Sequence, residues 1–99
     1  TPKTVGEQDS HVFHQYTLRI LGADRDSLGQ YLNDNKIPFG VYYPVPLHLQ
    51  KAYKSSNYLE EDFKVTNKLI DEVISLPMHS ELDDEQIQFI CKKVLEFLD

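Results

Sequence analysis

The C-terminal stretch DDEQIQFICKKVLEFLD carries Ile87, Ile90, Cys91, Val94, Leu95 and Leu98 at i, i+3, i+4 and i+7 spacing. That spacing lines the apolar groups along one side of a helix, and Asp83 or Asp84 can cap its first turn with a carboxylate. A helix with a single apolar stripe must lay it on another element. The stripe therefore predicts a layered fold in which each helix buries one side.

Segments upstream supply elements of the same kind. HVFHQYTLRI alternates, with Val12, Tyr16, Leu18 and Ile20 on one face and Gln15, Thr17 and Arg19 on the other, which predicts a half-buried strand from His11 to Ile20. Asp24 caps a helix over 25–35 that turns Leu28, Tyr31 and Leu32 inward, and Asn35 suits its exit. IPFGVYY predicts a second strand ending at Pro44, with Phe39, Val41 and Tyr43 on one face and Gly40 and Tyr42 on the other. Pro46 opens a short helix, PLHLQKAY, with Leu49 and Ala52 inward and His48 near its start. Leu69, Ile70 and Val73 place a further helix in DFKVTNKLIDEVI, and SLP offers a short strand after it. The order β-α-β-α-α-β-α predicts an α/β chain built as an α+β two-layer sandwich. Its sheet has three strands, its amphipathic helices lie mainly on one face, and the other face is left partly uncovered.

Ninety-nine residues, 40% of them hydrophobic, suit one domain with one core. Residues 1–10 read as a linker or flexible start and 11–99 as the domain. Ten basic against sixteen acidic side chains give a net charge of −6, a field that repels nucleic-acid phosphates, so nucleic acid is not an expected partner. No apolar run approaches the roughly 18 residues of a membrane span. TPKTVGEQDS also lacks a signal-peptide core, so no membrane role is expected. Cys91 is the sole cysteine, which excludes an intrachain disulfide and fits a reducing, cytoplasmic setting. The start at Thr1-Pro2 without an initiator Met suggests a piece of something longer.

Most residues with chemical potential have a plain structural account. His11 and His14 lie three apart on a predicted strand, so their rings point to opposite faces and do not converge on a metal. Cys91 falls within the apolar stripe, where a thiol behaves as a small hydrophobe. Glu60-Glu61 and Asp83-Asp84 flank helix starts, where exposed amides favour carboxylates. The four glycines form no phosphate-binding pattern, and there is no nucleophile elbow. Tyr42, Tyr43 and His48 remain, on a loop that Pro44 and Pro46 hold extended because they fix φ and lack an amide proton. Tyr43 reads equally well as a core ring or a site ring. Tyr42, on the opposite face, reads as part of a contact surface.

Four blocks then stand together in order and spacing: HVFHQYTLRI, RDSLGQYL, YYPVPLHLQKAY and ISLPMHSELDDEQIQFI. From His11 to Leu98 the chain resembles the C-terminal domain of the DegT/DnrJ/EryC1/StrS family, pyridoxal-phosphate-dependent nucleotide-sugar aminotransferases. The resemblance implies the small domain of a fold type I aminotransferase, which covers a site built on a large domain. It implies amino transfer, with glutamate as usual donor, to a keto nucleotide-sugar for cell-surface polysaccharide or lipopolysaccharide synthesis, in a homodimer. It also implies that Tyr42, Tyr43 and His48 bind the sugar nucleotide. Pyridoxal phosphate would be held by the large domain, and none of Lys3, Lys36, Lys51, Lys54, Lys64, Lys68, Lys92 or Lys93 sits in a matching Schiff-base motif. Many relatives read His-Tyr-Pro where this chain has Tyr42-Tyr43-Pro44. The Tyr-Tyr-Pro form resembles enzymes of UDP-linked 3-keto sugars such as acetamido-sugar uronates. A fragment of this kind is expected to be inactive alone. The alternatives are a free-standing sugar- or nucleotide-binding module and a dimerisation domain.

Overall fold

The structure, a computed structural model, describes residues 1–7 and 10–99. The expected linker over 1–10 includes positions 8 and 9, which lie outside the described residues. The elements run β1 (Tyr16–Arg19), α1 (Arg25–Asp34), α2 (Lys64–Glu72), β2 (Val73–Leu76) and α3 (Asp84–Leu98), with single 3-10 turns at Leu47–Leu49 and Glu60–Phe63. This is a small mixed α/β fold. Its three helices accompany a two-stranded antiparallel sheet among the described residues.

The strands pair Tyr16 with Leu76, Thr17 with Ser75, Leu18 with Ile74 and Arg19 with Val73. Opposed residues share a face. Leu18 and Ile74 therefore point together into a core completed by Ile20, Leu28, Leu32, Ile37 and Val94, with Tyr16, Leu76, Ile90 and Phe97 packed around it. Thr17 and Ser75 occupy the other face, their hydroxyls 2.8 Å apart.

The expected third strand does not form. Only Gly40 bridges to Ser75, through Gly40 N–H to Ser75 O at 3.0 Å and Ser75 N–H to Gly40 O at 2.7 Å. Pro38 and Pro44 bracket the segment and have no proton to donate, so the ladder cannot extend either way. The first strand is also shorter than predicted. Phe13 takes a positive φ of 43° and its N–H bonds back to His11 Nδ1 at 3.0 Å, which breaks the extended run and leaves Val12 exposed.

Helix α1 forms where expected, with Asp24 accepting from Ser27 N–H at 2.6 Å and Leu28 and Leu32 fully buried. PLHLQKAY makes one 3-10 turn instead of a helix, and Leu49 and Ala52 are exposed, not inward. Val73 belongs to β2, not to the preceding helix, because its pairing with Arg19 begins the ladder there. The cap of α3 is Asp83, in a reciprocal box with Gln86. The buried line on α3 is Ile90, Val94 and Phe97. Ile87, Cys91, Leu95 and Leu98 are exposed, so Cys91 is not a core thiol. The small sheet and α1 cover only part of the wide apolar stripe.

Arg25 joins the start of α1 to the end of α2. Its Nη1 donates to the carbonyls of Ile70 and Val73, both at 3.0 Å, supplying the C-terminal end of α2 with a cation and hydrogen-bond donor. Among the described residues no helix is long and apolar enough to cross a membrane.

Candidate functional site: the proline loop

The loop leaves the sheet at Gly40. The Gly40–Ser75 bridge puts Gly40 on the Thr17 face, and the ring of Tyr42 folds back over Gly40 on that side. The Tyr42–Tyr43 peptide is cis, and the two rings meet edge to face with centroids 5.7 Å apart. Tyr42 is 49% exposed and Tyr43 71%. That exposure removes the core reading of Tyr43. Beyond them Pro44 and Val45 run exposed to Pro46, which is buried, and Leu49 N–H closes the following turn on Pro46 O at 3.0 Å.

Three hollows surround this loop. One of about 300 Å³ is lined by Tyr42 with His14, Gln15, Phe39, Gly40, Ser75 and Met78 among others. A second, of about 510 Å³, is lined by Tyr42, Tyr43, Val45, Pro46, Leu47, Gln50 and the α2 side chains Thr66, Leu69 and Ile70. A third, of about 440 Å³, is lined by Leu47, His48, Tyr53, Tyr58, Phe63 and Thr66. The structure therefore brings Tyr42 and Tyr43 together and sets His48 in the neighbouring hollow, with Leu47 and Thr66 common to both.

His48 is buried, its ring stacked on Phe63 at 4.3 Å, and its Nε2 has no hydrogen-bond partner among the described residues. A buried ring nitrogen is costly to leave without a partner. Hydrogen bonding to Ser27 lowers the pKa of Asp24, and the Lys93–Glu96 contact raises that of Lys93 and lowers that of Glu96. No three metal-ligating side chains converge among the described residues.

Sequence reasoning missed Gly40, whose bare Cα carries the Tyr42 ring, and Phe63, which carries the His48 ring. A glycine two positions before an aromatic in an extended segment was the available signal for the first. Phe63 gave none, because its contact spans a loop.

A small α/β domain of this topology occurs as part of sugar aminotransferases. The family model for the DegT/DnrJ/EryC1/StrS aminotransferase family matches residues 1–95, and the chain belongs to that family. It is 44% identical over 97 residues to a pleiotropic regulatory protein of Geobacillus stearothermophilus, covering 98% of this chain and 25% of that protein. It is 38% identical over 81 residues to a UDP-N-acetyl-3-dehydro-alpha-D-glucosamine 3-aminotransferase of Acidithiobacillus ferrooxidans, covering 82% of this chain and 21% of that enzyme. Among solved structures it resembles Spr1654 of Streptococcus pneumoniae in its PMP form, with a TM-score of 0.73 and 30% identity over 82% of this chain and 21% of that one. Spr1654 has also been solved in a PLP form. The chain spans about a quarter of the length of the curated relatives it matches.

Proposed function

We propose that residues 11–99 are the C-terminal, substrate-covering domain of a PLP-dependent aminotransferase that moves an amino group, with glutamate as donor, onto a keto nucleotide-sugar destined for cell-surface polysaccharide or lipopolysaccharide. The observation that carries this reading is the pair of exposed tyrosines on a proline-stiffened loop at the mouth of a 510 Å³ hollow, in a chain of this family. The Acidithiobacillus relative, named for a UDP-linked 3-keto sugar, supports a substrate of that class. Tyr42 and Tyr43 meet the sugar nucleotide directly, and His48 serves the same ligand from the adjoining hollow. Pro44 and Pro46 limit the loop before binding and so reduce the ordering cost.

The hollows around the loop do not fit PLP itself. Among the described residues no lysine or arginine lines the three hollows around the loop, which leaves them without a Schiff-base amine or a cationic phosphate clamp. The cofactor accordingly belongs to a large domain of the same polypeptide, within a homodimer in the cytoplasm, and this chain contributes orientation and exclusion of water. The apolar surfaces of the loop, α2 and α3 suit that docking.

A second reading is a sugar- or nucleotide-binding module without amino transfer; the Geobacillus relative is named as a pleiotropic regulatory protein and not as an aminotransferase. The full reading frame and an assay decide between them. The full-length polypeptide purified with PLP should convert glutamate and a UDP-linked 3-keto acetamido sugar into 2-oxoglutarate and the amino sugar. Binding of the nucleotide sugar with no amino transfer to any keto form would establish the second reading instead.

A further inference from the structure

The ring of Tyr42 rests on Gly40 so closely that a Cβ there would stand 2.5 Å from Tyr42 Cε2 and Cζ and 2.6 Å from the hydroxyl oxygen. Gly40 does not have a positive φ, so any larger residue at this position would conflict with the ring and not with its own backbone. The paired hydrogen bonds to Ser75 hold the backbone of Gly40 in place. Relief of the clash therefore has to come from the ring, which is half exposed and has room to swing out.

In its seat the Tyr42 side chain lines two hollows. Among the described residues Tyr42 is the one that lines both the 300 Å³ hollow, with His14, Gln15 and Ser75, and the 510 Å³ hollow, with Tyr43 and Gln50. We infer that Gly40 is a positioning residue for the nucleotide-sugar: by leaving its Cα bare it seats the Tyr42 ring as the partition between the two hollows and fixes where the sugar lies. The inference rests on the substrate role proposed above for Tyr42. An alanine at position 40 displaces the partition, merges the hollows and leaves the strand bridge intact.

The experiment uses the full-length, PLP-loaded polypeptide with Gly40→Ala, Tyr42→Ala and the double substitution, reading KM for the keto nucleotide-sugar, KM for glutamate and Tm. Gly40→Ala should raise the nucleotide-sugar KM about two- to twelvefold, the size of one lost aromatic contact, with glutamate KM and Tm unchanged. Tyr42→Ala should do the same, and the double variant should be no worse than Tyr42→Ala, since no ring remains to displace. The inference is overturned if Gly40→Ala keeps the wild-type nucleotide-sugar KM while Tyr42→Ala does not, or if the two penalties multiply. A loss of Tm with both KM values raised would assign Gly40 a merely structural role. A wild-type nucleotide-sugar KM in Tyr42→Ala removes the substrate role of Tyr42 itself, and the inference with it.

Discussion

The imidazole of His48 lies against the ring of Phe63, with centroids 4.3 Å and planes 20° apart. Through this stack the proline loop is held against the turn that opens α2, although the two residues lie on separate turns. An aromatic pair is worth about 0.5 to 1.5 kcal/mol beyond the area it buries. Phe63→Leu stays apolar but loses the stack and some volume, so urea denaturation should show a loss of at least about that size. In the full-length enzyme the same variant should raise the nucleotide-sugar KM by loosening the loop. An unchanged KM together with the stability loss would confine the stack to packing.

Tyr43 is 71% exposed, and its hydroxyl takes no hydrogen bond within the described residues. Tyr43→Phe should leave stability within about 0.5 kcal/mol of wild type, as exposed substitutions do. If the hydroxyl bonds the substrate, kcat/KM should fall about two- to twelvefold, the worth of one hydrogen bond. Calorimetry and steady-state kinetics on one preparation test both halves.

Arg25 gives two hydrogen bonds to the end of α2 from a side chain only 11% exposed. Arg25→Met retains the apolar stem but leaves the carbonyls of Ile70 and Val73 without their donor. The expected cost is about 1.5 to 3 kcal/mol, the range for hydrogen bonds to charged groups. Asp26→Asn should have no measurable effect, because its ion pair with Arg25 is largely solvated on the aspartate side. Equal losses in the two variants would place the contribution in the ion pair.

The buried faces of the helices differ sharply in what truncation should cost. Leu28→Ala or Leu32→Ala, at fully buried positions, should destabilise by about 2 to 5 kcal/mol. Leu95→Ala, on the exposed flank of α3, should stay within about 0.5 kcal/mol. A large loss at Leu95 in the isolated chain would show that this flank is covered in solution.

The Asp24 cap gives a pH signature. Hydrogen bonds from Ser27 hold its carboxyl below the usual 3.8, so the folded state favours the charged form. Its stabilisation is complete above pH 3.8 and is lost as pH falls through the lower folded value. The Tm gap between wild type and Asp24→Ala should be constant near neutrality and shrink in that acidic window. A gap independent of pH would mean that the cap works without its charge.

The sequence by itself determined what depends on local chemistry. Asp24 and Asp83 set the helix starts because a carboxylate beside free amides works within one turn. The alternation around Leu18 and the spacing of Leu28 and Leu32 picked out core residues, and the Pro-x-Pro-Leu-His block carried the family. Tertiary structure decided everything that needed a partner distant in the chain. Of IPFGVYY only Gly40 pairs with the sheet, at Ser75, so the segment is a bridge and not a strand. The limited area of β1, β2 and α1 covers Ile90, Val94 and Phe97 and leaves Cys91 and Leu95 outside. Tyr42 on Gly40, His48 on Phe63 and Arg25 at the end of α2 follow the same rule. A side chain's own pattern says which kinds of surface it suits, but only the folded chain supplies the surface.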